Sequence, residues 1–189
     1  MSACHGDTSS FLASRQSFLG GLHIDFEKLV CVRQVHGDTV ALVTAEDAGK
    51  GACTQDTALL DTDALVTCCP GLPLAIFTAD CLPVFLFDPR TESIGLVHAG
   101  WKGTHKRIAG KAMELMRSTF AVDPADIIVG FGPCIRQCCY EVSLEFRQLF
   151  GASVREEKDK TYFDIAQENK KQLLALGVKK EHLYDSGLC

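Results

Sequence analysis

The sequence predicts an α/β (α+β) fold, with mixed β-sheets flanked by helices, on two observations. Seven short apolar runs rich in Val, Ile and Phe lie within the first 132 residues, and such runs read as strands. Longer stretches between and after them place apolar residues at helical spacing. The first element is a helix over residues 9–19. Strands follow over 29–35, 39–44, 64–67 and 74–78. Residues 84–88 and 93–98 form the next two, separated by Asp88-Pro89-Arg90-Thr91, where Pro pre-sets a turn. Several of these runs are apolar throughout, which predicts strands covered on both faces.

A helix over 104–120 carries Ile108, Ala112, Leu115, Met116 and Phe120 on one stripe. A seventh strand spans 126–132 and a short helix 143–150. The helix over 164–176 begins on an acidic residue and stops before Gly177. No repeat, low-complexity tract or linker divides the chain, so one domain over 1–189 is expected.

Composition narrows the function classes. The chain has 189 residues, 47% hydrophobic and 23% charged, enough for one sizeable core. A net charge of −5 and a pI near 5.6 leave no basic field for nucleic acid or an anionic membrane. No apolar run approaches the roughly 18 residues of a membrane span. The sequence Met1-Ser2-Ala3-Cys4-His5-Gly6 has no basic segment leading into an apolar one, so export is not indicated. Ten cysteines are then expected as reduced thiols in a cytoplasmic protein, most of them packed as small hydrophobes. The closing Asp185-Ser186-Gly187-Leu188-Cys189 has neither cap nor polar tail and reads as an interrupted element.

Three strand ends carry the chemistry: His36 before Gly37, Cys81 before Leu82-Pro83, and His98 before Ala99-Gly100. Two imidazoles and one thiolate suit zinc or copper, and three protein ligands leave one position open, as in catalytic sites. Each residue alone also fits a plain reading, a hydrogen-bonded His or a packed thiol. Cys81 with His98 or His36 would equally serve a thiol hydrolase. His105 reads as a surface residue of its helix. Cys134 and Cys138 have the wrong spacing for a zinc knuckle, and Pro133-Cys134 departs from the zinc-deaminase signature. Six histidines without a His-x-His pair argue against multicopper oxidation.

Arg33-Gln34-Val35-His36-Gly37, Asp63-Ala64-Leu65-Val66-Thr67, Thr78-Ala79-Asp80-Cys81-Leu82-Pro83, Val97-His98-Ala99-Gly100-Trp101-Lys102-Gly103 and Gly132-Pro133-Cys134-Ile135 closely resemble the motifs of the YfiH/LACC1 family. The likeness runs collinearly from about Gly6 to Cys189. Family members have been labelled polyphenol oxidases, peptidoglycan editing factors, and purine nucleoside phosphorylases with adenosine deaminase activity. The resemblance implies a CNF1/YfiH-like cysteine-hydrolase fold, with His36, Cys81 and His98 as zinc ligands and copper as the alternative occupant. It implies phosphorolysis of adenosine, inosine, guanosine or methylthioadenosine, and deamination of adenosine. The partners would be nucleoside and phosphate, in a monomer or homodimer. Family members usually extend before the Gly6-Asp7 region and beyond the position of Cys189, so this chain is expected to be the family's core.

Under that reading Asp80 supports the ligand Cys81 or moves a proton, or else caps backbone amides. Phosphate needs an anion seat, expected at the start of the helix beginning at Thr104, with Lys102 just before it. Gly100 and Gly103 would let backbone approach closely, and Arg33 beside His36 is a further candidate. The competing classes are a laccase-like copper polyphenol oxidase, a Cys81-dependent thiol hydrolase acting in peptidoglycan editing, and a non-enzymatic module.

Overall fold

The computed structural model describes residues 8–189, with side chains from residue 12 onward; residues 1–6, where export was not indicated, lie outside the described part. In chain order, α1 (Thr8–Gly21) precedes β1 (Val30–Cys31), β2 (Val40–Leu42), β3 (Ala64–Thr67) and β4 (Leu74–Ala75). A hairpin of β5 (Leu82–Asp88) and β6 (Ser93–Ala99) follows, then α2 (Trp101–His105) and α3 (Ile108–Phe120). The remainder holds β7 (Ile128–Phe131), β8 (Glu141–Val142), α4 (Phe146–Phe150), β9 (Val154–Glu157), β10 (Lys160–Phe163), α5 (Ile165–Ala175) and β11 (Leu183–Asp185). No described helix is long and apolar enough to cross a membrane.

The main sheet has the order β11-β7-β5-β6-β3-β2. Its outer pairs, β11 with β7 and β3 with β2, are parallel, while the inner strands are antiparallel. The mixed sheet expected from sequence is therefore present. Cover on both faces holds only in part. All four residues of β3 are buried, because Leu65 packs with Val30, Val32, Val43 and Leu72 on the side away from α3. Strand β5 instead alternates: Leu82, Val84 and Leu86 enter the core, while Phe85 and Phe87 stay 51% and 40% exposed. Strands β1 and β4 contribute Val30 and Leu74 to the layer that covers Leu65.

The β5–β6 turn is held by buried Asp88, which accepts from the N–H groups of Arg90 and Thr91 and from the Thr91 hydroxyl (2.6 Å). Strand β6 carries Gly95 where α3 lies down on the sheet. A Cβ there would sit 3.0 Å from Met116 Sδ and 3.2 Å from a Leu86 methyl. Helix α5 agrees closely with its sequence signals. Asp164 caps it by accepting from the Gln167 N–H (2.8 Å), a contact worth about 1 kcal/mol, and Gly177 follows at φ 103°.

The single helix expected over 104–120 is two helices. Arg107 takes a left-handed conformation, φ 63° and ψ 42°, and separates α2 from α3. Tertiary docking explains the break. Buried Thr104 receives Asn169 Nδ2 on its hydroxyl (2.9 Å) and Gln172 Nε2 on its carbonyl (3.0 Å), which fastens α2 to α5. Helix α3 is left free to follow the sheet. Beyond Phe131 the sequence had offered only helices, yet β8, β10 and β9 form a second sheet. Lys158 and Asp159, at φ 49° and 64°, make the tight turn of a right-twisting hairpin.

Candidate metal centre

Strand register assembles the site. Leu82 pairs with Ala99, so Cys81, one residue before β5, meets Gly100, one residue after β6. Ala64 pairs with Val97, which sets Asp63 beside His98, and the His98 N–H bonds the Asp63 carbonyl at 2.8 Å. His36 arrives from the β1–β2 connection at φ 58°, a conformation that His tolerates better than most residues but that needs support. The ligand atoms of His36, Cys81 and His98 all lie within 4.8 Å of one another. The two imidazole rings meet edge to face, centroids 4.8 Å apart.

Asp63 supplies that support. Its side chain is fully buried and accepts from the N–H groups of Val35 (3.2 Å), His36 (2.9 Å) and Gly37 (2.7 Å). A fourth partner is His98 Nδ1, 2.8 Å from Oδ1. A buried carboxylate is stable only when paired and bonded in this way. Burial alone would raise its pKa, but His98 and the backbone donors outweigh that and hold it below the ordinary 3.8. One side chain thus bends the His36 loop and fixes the His98 ring, leaving Nε2 as the nitrogen that can face a ligand.

The two histidines are tuned oppositely. Burial opposes charge on His98, which is 2% exposed, yet its hydrogen bonds with Asp63 and Cys81 push its pKa up to about 9. His36 is lowered below 6.5 by burial and then by its neighbour His98. A cation facing His98 Nε2 would take the place of that proton. Gly100 keeps the space clear: a Cβ there would lie 3.1 Å from His36 Cδ2 and 3.2 Å from Cys81 Sγ.

The other expected site residues are placed less uniformly. Asp80 is exposed beside Cys81; its carbonyl accepts from the Ile135 N–H (2.9 Å), and its carboxylate makes no hydrogen bond among the described residues. Gly103 packs on the His36 loop, where a Cβ would come within 2.7 Å of the Gly37 carbonyl. Lys102 lies inside α2 rather than before the helix, its ammonium 5.6 Å from the Trp101 ring. The helix start expected at Thr104 falls at Trp101, with Gly100 as its N-cap, so Lys102 sits in the first turn rather than before it. Arg33 is drawn into an exposed ion pair with Asp61 at 3.1 Å.

Two contributors escaped the sequence. Asp63 directly precedes an apolar strand and opens a family motif, but neither signal assigned it a role. Tyr140 is pushed up to about 12 by burial and by its closeness to Cys81 and Asp80.

With this geometry in view, comparison with known proteins is decisive for kinship. A family model described as multi-copper polyphenol oxidoreductase laccase matches residues 2–189. The chain belongs to this laccase family. It is 35% identical over 192 residues to the purine nucleoside phosphorylase YlmD of Geobacillus stearothermophilus, which covers 97% of this chain and 70% of that protein. It is 32% identical over 193 residues to the adenosine deaminase RL5 of an unknown prokaryotic organism, covering 97% and 73%. The crystal structure of YlmD from G. stearothermophilus superposes with a TM-score of 0.95 at 34% identity, covering all of this chain and 73% of the other. That of Bacillus licheniformis YfiH gives 0.94 at 30%, covering 100% and 74%. These laccase-family structures share the mixed α/β architecture described above.

The residues suit the metal that this laccase family implies. Three soft or borderline donors converge, one ring is held in a single tautomer, and the glycine behind them leaves room.

Proposed function

We propose that this chain carries the core of a metal-dependent purine nucleoside enzyme. It cleaves adenosine, inosine, guanosine or methylthioadenosine with phosphate to free base and ribose-1-phosphate, and deaminates adenosine at the same site. The observation that carries this reading is the convergence of His36, Cys81 and His98 on one point, with Asp63 locking His98. The substrate class is supported by the names of relatives at 30–39% identity, purine nucleoside phosphorylases and an adenosine deaminase.

His36, Cys81 and His98 would hold the ion, with zinc favoured by two nitrogens and one thiolate that leave a fourth position open. When bound, it supplies a Lewis acid that makes water a nucleophile near neutral pH. Asp63 keeps the proton on His98 Nδ1 throughout. Asp80, exposed and unpaired beside Cys81, is the carboxylate that moves a proton between attacking water and departing ammonia. Lys102, near enough to His36 to oppose its protonation, is the cation that meets phosphate. In phosphorolysis an oxygen of hydrogen phosphate attacks C1′, the glycosidic bond breaks, and the proton that the phosphate gives up leaves on the base.

Metal-analysed protein incubated with inosine or adenosine, with and without phosphate, tests the proposal. Free base formed only with phosphate is expected, together with inosine from adenosine without it. If His98→Ala converts the same substrates at the same rate as the parent protein, the proposal fails.

One observation favours a second reading. Cys81 Sγ lies within 4.8 Å of the His98 ring, and Asp63 bonds the far side of that ring, the order of a thiol nucleophile, its base and the group orienting that base. Hydrolysis that survives chelation but not Cys81→Ser would select it over the nucleoside enzyme. The polyphenol oxidase reading has less support. The described residues hold two groups of three candidate ligands, and only one contains histidine.

A further inference from the structure

A second set of soft donors lies on the surface. Cys138 Sγ is 3.6 Å from Cys139 Sγ and 3.8 Å from Cys189 Sγ, and all three sulfurs lie within 4.8 Å of one another. All three thiols are free and exposed. Sulfurs bound tetrahedrally at about 2.3 Å stand about 3.8 Å apart along the tetrahedron's edge, close to the two spacings found here. A disulfide would need about 2.05 Å, so the thiols are set for sharing an ion rather than for a bond.

The arrangement is held in advance. Cys138 and Cys139 lie in the turn after β7, where the Cys139 and Tyr140 N–H groups both bond the Arg136 carbonyl (2.9 and 2.8 Å). Cys189 comes from the segment after β11. Arg136 ties the two together: its guanidinium grips Asp185 at 2.6 and 2.9 Å, and its Nε donates to the Leu188 carbonyl at 3.0 Å. The Cys134 N–H bonds the same carbonyl at 3.3 Å.

We propose that Cys138, Cys139 and Cys189 form a second metal site, separate from the His36/Cys81/His98 centre, for a thiophilic d10 cation, Zn²⁺ or Cu⁺. The ion fastens the segment after β11 to the turn after β7. That turn also backs the first centre, since Ile135 donates to the Asp80 carbonyl. The inference does not depend on the nucleoside reading.

The reduced protein is titrated anaerobically with Zn²⁺ alone and, in a second arm, with Cu⁺ alone, and bound metal is counted. One equivalent fewer is expected in Cys138→Ser/Cys189→Ser than in the parent, and in His98→Ala the thiol cluster still takes its equivalent. Alkylation mapped by mass spectrometry in the unaltered protein serves if the double variant does not fold. Whichever cation belongs there slows labelling of Cys138, Cys139 and Cys189 at least tenfold. Unchanged stoichiometry in the double variant overturns the proposal. So does labelling indifferent to both metals, or loss of thiol reactivity through a Cys138–Cys189 disulfide that metal does not prevent.

Discussion

Two triads of potential ligands sit on this molecule, and they are built on different principles. His36, Cys81 and His98 come from three chain segments whose ends the main sheet brings together, and behind them stands a buried carboxylate with four partners. Cys138, Cys139 and Cys189 come from two surface segments, and the group behind them is Arg136 on a partly exposed Asp185. The first scaffold acts in a low-dielectric interior, where an orienting hydrogen bond selects one ring nitrogen. The second acts at the water boundary, where an ion pair fixes spacing but contributes little energy. Three donors are available to an ion in either case. Only the first arrangement also has a buried carboxylate bonded to one of its donors.

The largest expected break in that contrast is Asp63→Asn. An amide offers one carbonyl oxygen to three backbone donors and turns N–H groups toward the rest, leaving buried groups unpaired. The loss should be about 3–5 kcal/mol of stability, read from urea unfolding, with metal lost from the first centre and retained by the thiol cluster. Metal retained at both sites would show that Asp63 does not hold the first together.

Gly100→Ala is the next step down. Its methyl group would press on His36 and Cys81, and about tenfold weaker metal binding at the first centre is expected by competition with a chelating dye. The thiol cluster, which shares no ligand with this centre, should titrate as before.

At the other triad, Arg136→Gln removes the double contact with Asp185. About 1 kcal/mol of stability should go, and metal affinity at the cysteines should fall several-fold while the first centre is unaffected. An equal fall at both would mean that the two sites are not independent.

The smallest effect concerns acid. Burial would raise the Asp185 carboxyl, but Arg136 and the Gly187 N–H outweigh it and hold it below 3.8. A depressed carboxylate stabilises the fold at pH above its unfolded value, and this contribution is lost as pH falls through the folded value. Stability curves of the parent and Asp185→Asn should therefore differ above about pH 4 and converge below it, by less than about 1 kcal/mol given the exposure of the pair. Parallel curves throughout would remove Asp185 from the account.

Particular elements show what could be read in advance. Strands β3, β5 and β6 are apolar runs bounded by turn residues, and α5 carries its own start at Asp164 and stop at Gly177. In these segments local propensity and tertiary demand agree. The ligands His36, Cys81 and His98 stood out by donor type and by family motif. Asp63 opened a family motif too, but its role did not show, because an acid before a strand looks like any turn carboxylate until its four partners are in place. The hairpin of β9 and β10 lies in the charged run Arg155-Glu156-Glu157-Lys158-Asp159-Lys160, where hydrophobic alternation is too weak to show a strand. The break at Arg107 comes from Thr104 bonding to α5, a contact between residues 65 apart. The cysteine triad joins positions 51 apart, so spacing rules for adjacent ligands could not find it.

The sequence by itself determined which residues can bind a soft cation, where the main strands and α5 run, and to which family the chain belongs. These depend on side-chain chemistry and short-range periodicity, both carried locally. The tertiary structure decided which donors meet, which histidine bonds the buried carboxylate, and that one triad rests on that carboxylate and the other on a surface arginine. Those outcomes depend on distances and dielectric between groups remote in the chain, which exist only once the sheet has closed.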